Sequence, residues 1–228
     1  MSTLSVIIPT LNEAHRIGAT LQAVRAGAGP EVEVIVADGG STDDTVRLAA
    51  PLATVVHAPR GRARQMNAGA REASGRLLYF LHADTRPPQD YAPLIRHALQ
   101  NAEAGAFRLS FDHPSLIYSF YGWCTTWPTP LLCFGDRSLF VRRSAFEHLG
   151  GFPDIPIFED LEMARRLYQR GTFTFMPQAV VTSARRFERV GIIRQQLANA
   201  ALWAGYLLRL PHHRLQGFYP PEPPSDTP

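Results

Sequence analysis

Carboxylates and arginines gather at a few places in this sequence, most of them at the end of an apolar run. Pro9-Thr10-Leu11-Asn12-Glu13 follows Leu4–Ile8, Asp38-Gly39-Gly40-Ser41 follows EVEVIVA, and His82-Ala83-Asp84 follows RLLYFL. Arg60, Arg62 and Arg64 make the densest basic cluster, in APRGRARQMN, and Phe158-Glu159-Asp160 opens a helical stretch. An aspartate near a histidine can hold a divalent cation. Arginine's planar fork suits phosphate, the more so where a loop runs into a helix N-terminus. A carboxylate placed opposite a leaving group can take the proton of an attacking hydroxyl.

These residues need a frame, and the first half of the chain supplies one. Leu4–Ile8, Glu31–Ala37 and Arg76–Leu81 read as strands. Between and after them, Glu13–Ala26, a start at Ser41–Asp44, the segment running in from His57 to Met66, and Asp90–Asn101 read as helices. Such alternation predicts βαβ units and a parallel sheet covered on both faces. Ligands of open parallel sheets bind beyond the carboxyl ends of the strands, where the three polar clusters fall. A lone Asp-Gly after a strand is ordinarily a turn; three polar clusters at one sheet edge point to a site. From Phe107 onward the pattern degrades into aromatic residues and prolines, with a strand at Ser138–Val141, a helix at Phe158–Arg170, a short strand at Phe173–Phe175 and a helix at Val190–Leu210.

Composition removes several chemistries. All 23 basic residues are arginine, so the lysine of a P-loop, of a protein kinase or of a Schiff-base enzyme is absent. The G-x-G-x-x-G dinucleotide fingerprint is missing as well, which argues against a nicotinamide enzyme. A net charge of +3 without a long basic block gives no nucleic-acid arm. The 228 residues, 45% apolar, suit one domain with a sizeable core. Cys124 and Cys133 fit neither a zinc spacing nor a disulfide framework. With no basic leader at the N-terminus and no apolar run near the roughly 18 residues of a membrane span, a cytoplasmic location is expected.

The motifs SVIIPTLNEA, IVADGGSTDDT, FLHAD and GGFPDIPIFEDLEMARRL, in this order, resemble the family-2 glycosyltransferases of GT-A fold. The resemblance runs from about Ser5 to Arg170 and implies an α/β fold: a Rossmann-like, mostly parallel sheet with helices on both faces and a C-terminal helical extension. It divides the chain into a GT-A domain at 1–185 (a nucleotide half to 105, an acceptor half from 106), a packing helix at 186–212 and a disordered Pro-rich tail at 213–228. It implies nucleotide contacts from Pro9, Thr10, Asn12, Glu13, Asp38, Arg62, Asn67 and Ala83, with Asp38 on the imide of uracil. Asp84, with His82 in place of the family's first aspartate, would bind Mn²⁺ or Mg²⁺ against the diphosphate. Asp160 would be the base, beside Glu159, and Gly135-Asp136-Arg137 would lie near the acceptor and the diphosphate. Within the family, VADGGSTDDT, FLHADT and GDRSLFVRR most resemble a compact bacterial subgroup assigned to arsenosugar biosynthesis.

The implied reaction is an inverting, metal-assisted transfer of one sugar from a nucleotide-sugar, a UDP-sugar foremost, to the hydroxyl of a small or lipid-linked acceptor. The Q-x-x-R-W signature of processive synthases is absent. A sugar nucleotidyltransferase or a non-catalytic nucleotide-binding scaffold is the alternative. Trp123 or Trp127 could cover the acceptor by stacking on a sugar or lipid, against core or a dimer surface, and the helix carrying Trp203, Tyr206 and Leu207 leaves open a peripheral membrane contact, against the ordinary fate of core packing.

Overall fold

The computed structural model describes residues 4–29, 31–133 and 137–218. Its strands are β1 (Leu4–Thr10), β2 (Val32–Asp38), β3 (Thr54–His57), β4 (Leu77–Phe80), β5 (Thr85–Arg86), β6 (Ala104–Phe111), β7 (Leu139–Arg142) and β8 (Phe173–Thr182). Among the described residues they form one sheet in the order β3-β2-β1-β4-β7-β6-β8-β5. The pairings make β5 and β7 run against the other strands, so the sheet is mostly parallel, as expected.

Alternation along the strands builds two cores. Val6 and Ile8 face one side, with Val34, Val36 and Tyr79. There they meet Ile17, Leu21 and Val24 of α1 (Ala14–Ala28) and Tyr91, Ile95 and Leu99 of α4 (Tyr91–Asn101). Ile7 and Ile35 point the other way, with Leu78 and Phe80. That face packs on Ala63, Met66 and Ala70 of α3 (Arg62–Glu72) and on Met163 and Leu167 of α7 (Glu159–Arg170). The two-residue side-chain period of a strand thus seats helices on both faces. The remaining helices are α2 (Thr45–Ala49), α5 (Leu116–Cys124), α6 (Arg143–His148), α8 (Arg185–Val190), α9 (Ile192–Leu207) and α10 (His212–Leu215).

Four elements depart from the sequence expectations. β3 covers Thr54–His57, of which His57 alone falls in the segment read as running into a helix. β6 is a full strand where the pattern seemed to fail, and Gly105 hides it: a Cβ there would lie 2.5 Å from the Phe140 ring. β8 continues to Thr182 rather than stopping at Phe175, because the register shift opposite Ala106 and Arg108 takes up Pro177 without breaking the pairing. The tail expected to be disordered from 213 carries α10 and a 3-10 turn to Phe218, with Leu215 fully buried.

Candidate functional site

Asp38 ends β2 almost fully buried, and its carboxylate shapes the turn after it. Oδ2 accepts from the amides of Gly40 and Ser41, each at 3.0 Å, and Oδ1 from the Ser41 hydroxyl at 2.5 Å. The β1 loop is laced to that turn. Asn12, left-handed at φ 54°, donates its amide to Ser41 Oγ, and its Oδ1 accepts from Thr42 N at 2.8 Å. Asparagine tolerates this conformation because its short side chain bonds locally. Glu13 N donates to Thr45 Oγ1 and Ala14 N to Asp43 Oδ2. Asp43 is held below the usual carboxylate range: burial pushes it up, but bonds from Thr45 and Ala14 more than offset this.

Gln65, unremarked in the sequence, staples three segments. Its Nε2 donates to Thr10 O at 2.7 Å and Ala37 O at 3.0 Å, and its Oε1 accepts from Gly61 N. Glycine suits position 39 for this reason: a Cβ on Gly39 would lie 2.9 Å from Gln65 Cδ. Pro9 is buried in its strand, and the buried Thr10 hydroxyl has no hydrogen-bond partner among the described residues.

Asp84 follows a buried Ala83, whose carbonyl accepts from Thr20 Oγ1 at 2.6 Å. Next to it, β5 pairs with the end of β8 through Thr85 and Thr182, whose hydroxyls meet at 2.9 Å. This pairing delivers Arg185, at the start of α8, to the same place. Its Nη2 lies 2.8 Å from Glu13 Oε1 and 3.8 Å from Asp84 Oδ2. Asp84 keeps 24% of its side chain exposed, whereas His82 Nε2 is shut off from solvent. Among the described residues no three His, Cys, Asp or Glu side chains gather into a metal cage. Asp84 is the carboxylate that could share a cation with the oxygens of a bound diphosphate, the manner in which Mg²⁺ commonly binds.

The second acidic pair opens α7. Glu159 is 1% and Asp160 7% exposed, far from the solvated carboxylates that merely favour a helix dipole. Glu159 Oε1 lies 2.7 Å from Arg62 Nε, so the arginine expected on the donor links α3 to the acidic pair. Two more α3 residues hold the approach to α7. Asn67, expected at the nucleotide, clamps Phe152, its Nδ2 donating to the carbonyl and its Oδ1 accepting the amide. Arg64 pairs with Asp154 at 2.9 Å, which raises its already high pKa. Arg60 is exposed. Phe158, just before the pair, is left-handed at φ 68° and packs on Tyr206 of α9 at 5.2 Å. A bulky residue there costs roughly 1–2 kcal/mol, so packing must hold it in place.

Arg137 turns inward. It is 1% exposed, donating to the carbonyls of Phe107 and Thr125 and lying 5.3 Å from the Phe175 ring centroid. Burial lowers its pKa and lifts the neighbouring Cys133 thiol to about 11. Its guanidinium is committed to the interior, although its motif is expected near the acceptor and the diphosphate. Gly135 and Asp136 lie outside the described residues.

Residues 5–150 match the profile of Glycosyl transferase family 2. The chain belongs to that family. The PGL/p-HBAD biosynthesis glycosyltransferase of Mycobacterium bovis (strain BCG) is 36% identical over 167 residues, 65% of this chain and 62% of the relative. Among solved structures, the mannosyltransferase PcManGT from Pyrobaculum calidifontis, in complex with GDP-Man and Mn²⁺, superposes with a TM-score of 0.65. It is 26% identical, over 87% of this chain and 64% of that one. Residues 1–349 of S. aureus TarS, in complex with UDP-GlcNAc, give a TM-score of 0.64 at 16% identity, over 79% and 58%, a likeness of fold. The chain spans 32%, 49% and 62% of the length of three curated relatives it matches.

Proposed function

We propose that this protein transfers one sugar, with inversion, from a nucleotide-sugar to a hydroxyl acceptor, with Asp160 as the base. The observation that carries the reading is the buried acidic pair at the start of α7, tied through Arg62 to the helix that follows β3. Family membership and relatives named as glycosyltransferases favour transfer over nucleotidyl exchange. The acceptor oxygen attacks the anomeric carbon as its bond to the diphosphate breaks, and the hydroxyl proton passes to the Asp160 carboxylate. One displacement gives inversion without a covalent intermediate. Glu159 holds Arg62, Asn67 and Arg64 fix the loop before α7, and Arg185 braces Glu13 beside Asp84. A divalent cation, Mn²⁺ or Mg²⁺, held by Asp84 and the donor phosphates would neutralise charge on the leaving diphosphate.

Uridine is the preferred base on the motif around Asp38, although three donors of its own turn already occupy that carboxylate. The arsenosugar assignment rests on the motif resemblance alone; the relatives reported above carry other names. Nucleotide release from UDP-, GDP- and dTDP-sugars, with Mn²⁺, with Mg²⁺ or with chelator, tests the reading. Release that requires metal and is lost in Asp84→Ala supports it. Binding without turnover across acceptors would make the protein a scaffold, and a GDP preference would overturn uridine.

A further inference from the structure

Large apolar side chains are rarely exposed over a broad contiguous face without a partner to meet. Among the described residues twelve are exposed, and all but Tyr168 fall in residues 116–131 and 197–218. On α5, Leu116 is 90% exposed, with Phe120, Trp123 and, just beyond the helix, Trp127 each more than half exposed. Their spacing of three to four residues puts them on one face. On α9 the exposed positions Leu197, Ala200, Ala204, Leu207 and Leu208 repeat that spacing. The two helices are neighbours: Tyr121 hydrogen-bonds Gln196, and a cleft of about 320 Å³ between them is lined by Leu116, Ile117, Phe120, Tyr121 and Gln196.

Charge says what this face meets. No acidic residue occurs from His113 to Gly135 or from Arg189 to Pro221, although the chain has 20 elsewhere. The second stretch instead carries Arg194, Arg209 and Arg214, all exposed. Apolar and aromatic side chains interspersed with exposed arginines match the boundary between acyl chains and anionic headgroups. No helix among the described residues is long and apolar enough to cross a membrane, so the fit is to a surface. We propose that the α5–α9 face docks on an anionic lipid bilayer. A second copy of the chain would set Arg194, Arg209 and Arg214 against their own kind, in a stretch that carries no acidic residue.

The chain's three tryptophans, Trp123, Trp127 and Trp203, lie on or just beyond these helices, so intrinsic fluorescence reports on this face. The full chain should co-sediment with vesicles of phosphatidylcholine mixed with phosphatidylglycerol, with blue-shifted emission. Binding should fall about fivefold for each of Arg194→Gln and Arg209→Gln, and fall with salt. Leu116→Ser with Leu197→Ser should weaken binding while the thermal melt stays in place, since both side chains are exposed. Equal binding to pure phosphatidylcholine, no binding to either vesicle, or loss of binding only together with folding would overturn the proposal. So would a dimer, seen by sedimentation, that buries the tryptophans without lipid. None of these readings uses turnover, so docking can fail while the transfer reading stands, and the reverse.

Discussion

The loops after β1 and β2 and the face of α5 and α9 dispose of their side chains in opposite ways. At the loops, polar groups are used up on one another: Asp38 on its own turn, Asn12 on the neighbouring loop, Gln65 on two strand ends. On the α5–α9 face the apolar groups are left over, with Leu116 and Leu208 at 90% and 75% exposure. A site that must hold a ligand in one pose gains from loops fixed beforehand. A surface that meets a fluid partner needs no fixed geometry, only area and charge. Between them stands α7, whose acidic pair contacts the donor-side helix through Arg62 and whose first turn leans on α9 through Phe158.

Substitutions should separate these regions, and the largest effect belongs to the boundary. Asp160→Asn should lower turnover by about 10²–10⁴-fold with nucleotide affinity nearly unchanged, measured by product release and by calorimetry; unaltered turnover would remove Asp160 from the chemistry. Next comes the cross-tied side. Gln65→Ala should cost about 2–3 kcal/mol in denaturant unfolding, because it strips hydrogen bonds from buried groups. Leu116→Ser should stay within about 0.5 kcal/mol by the same measurement. If both cost alike, the contrast between the regions fails.

Smaller effects sharpen the picture. Arg185→Gln removes a cation from beside Asp84 and should tighten Mn²⁺ binding to the UDP-loaded protein about fivefold, the scale of a partly exposed ion pair. Glu162 is the mildest case. Hydrogen bonds from Arg165 and Arg166 hold its carboxyl below the ordinary 4.5. A depressed carboxylate contributes stability that is present above the unfolded pKa and is lost as pH falls through the folded one. The melting difference between wild type and Glu162→Gln should therefore be small at neutral pH and fade as pH falls from the ordinary 4.5 through the lowered folded value.

The nucleotide-side framework was legible because its strands are short apolar runs closed by polar clusters, which local pattern exposes directly. β8 was not: Pro177 ended the reading at Phe175, and with it went the rule that strand ends carry ligands. That rule, applied after Thr182, would have pointed to Arg185. Gln65 left no local trace, since its importance comes from two strand ends brought together by the fold. Arg137 misled for the complementary reason; an arginine in a promising motif looks the same in sequence whether it faces a ligand or the interior. Glu159 and Asp160 are singled out by motif, but their burial, which separates them from ordinary helix-start acids, needed the packing of α7 on the sheet.

The close approach of Gln65 to Gly39 has a meaning for homologues and for engineering. The two positions form one unit of inheritance: a relative that places aspartate at 39 must have vacated the space at 65 or moved the staple. Grafting a donor-specificity loop onto this chain by changing 39 alone should therefore yield an unstable protein, and changing 65 with it should rescue the fold. A covarying pair in an alignment of the family would be the evolutionary record of that close approach.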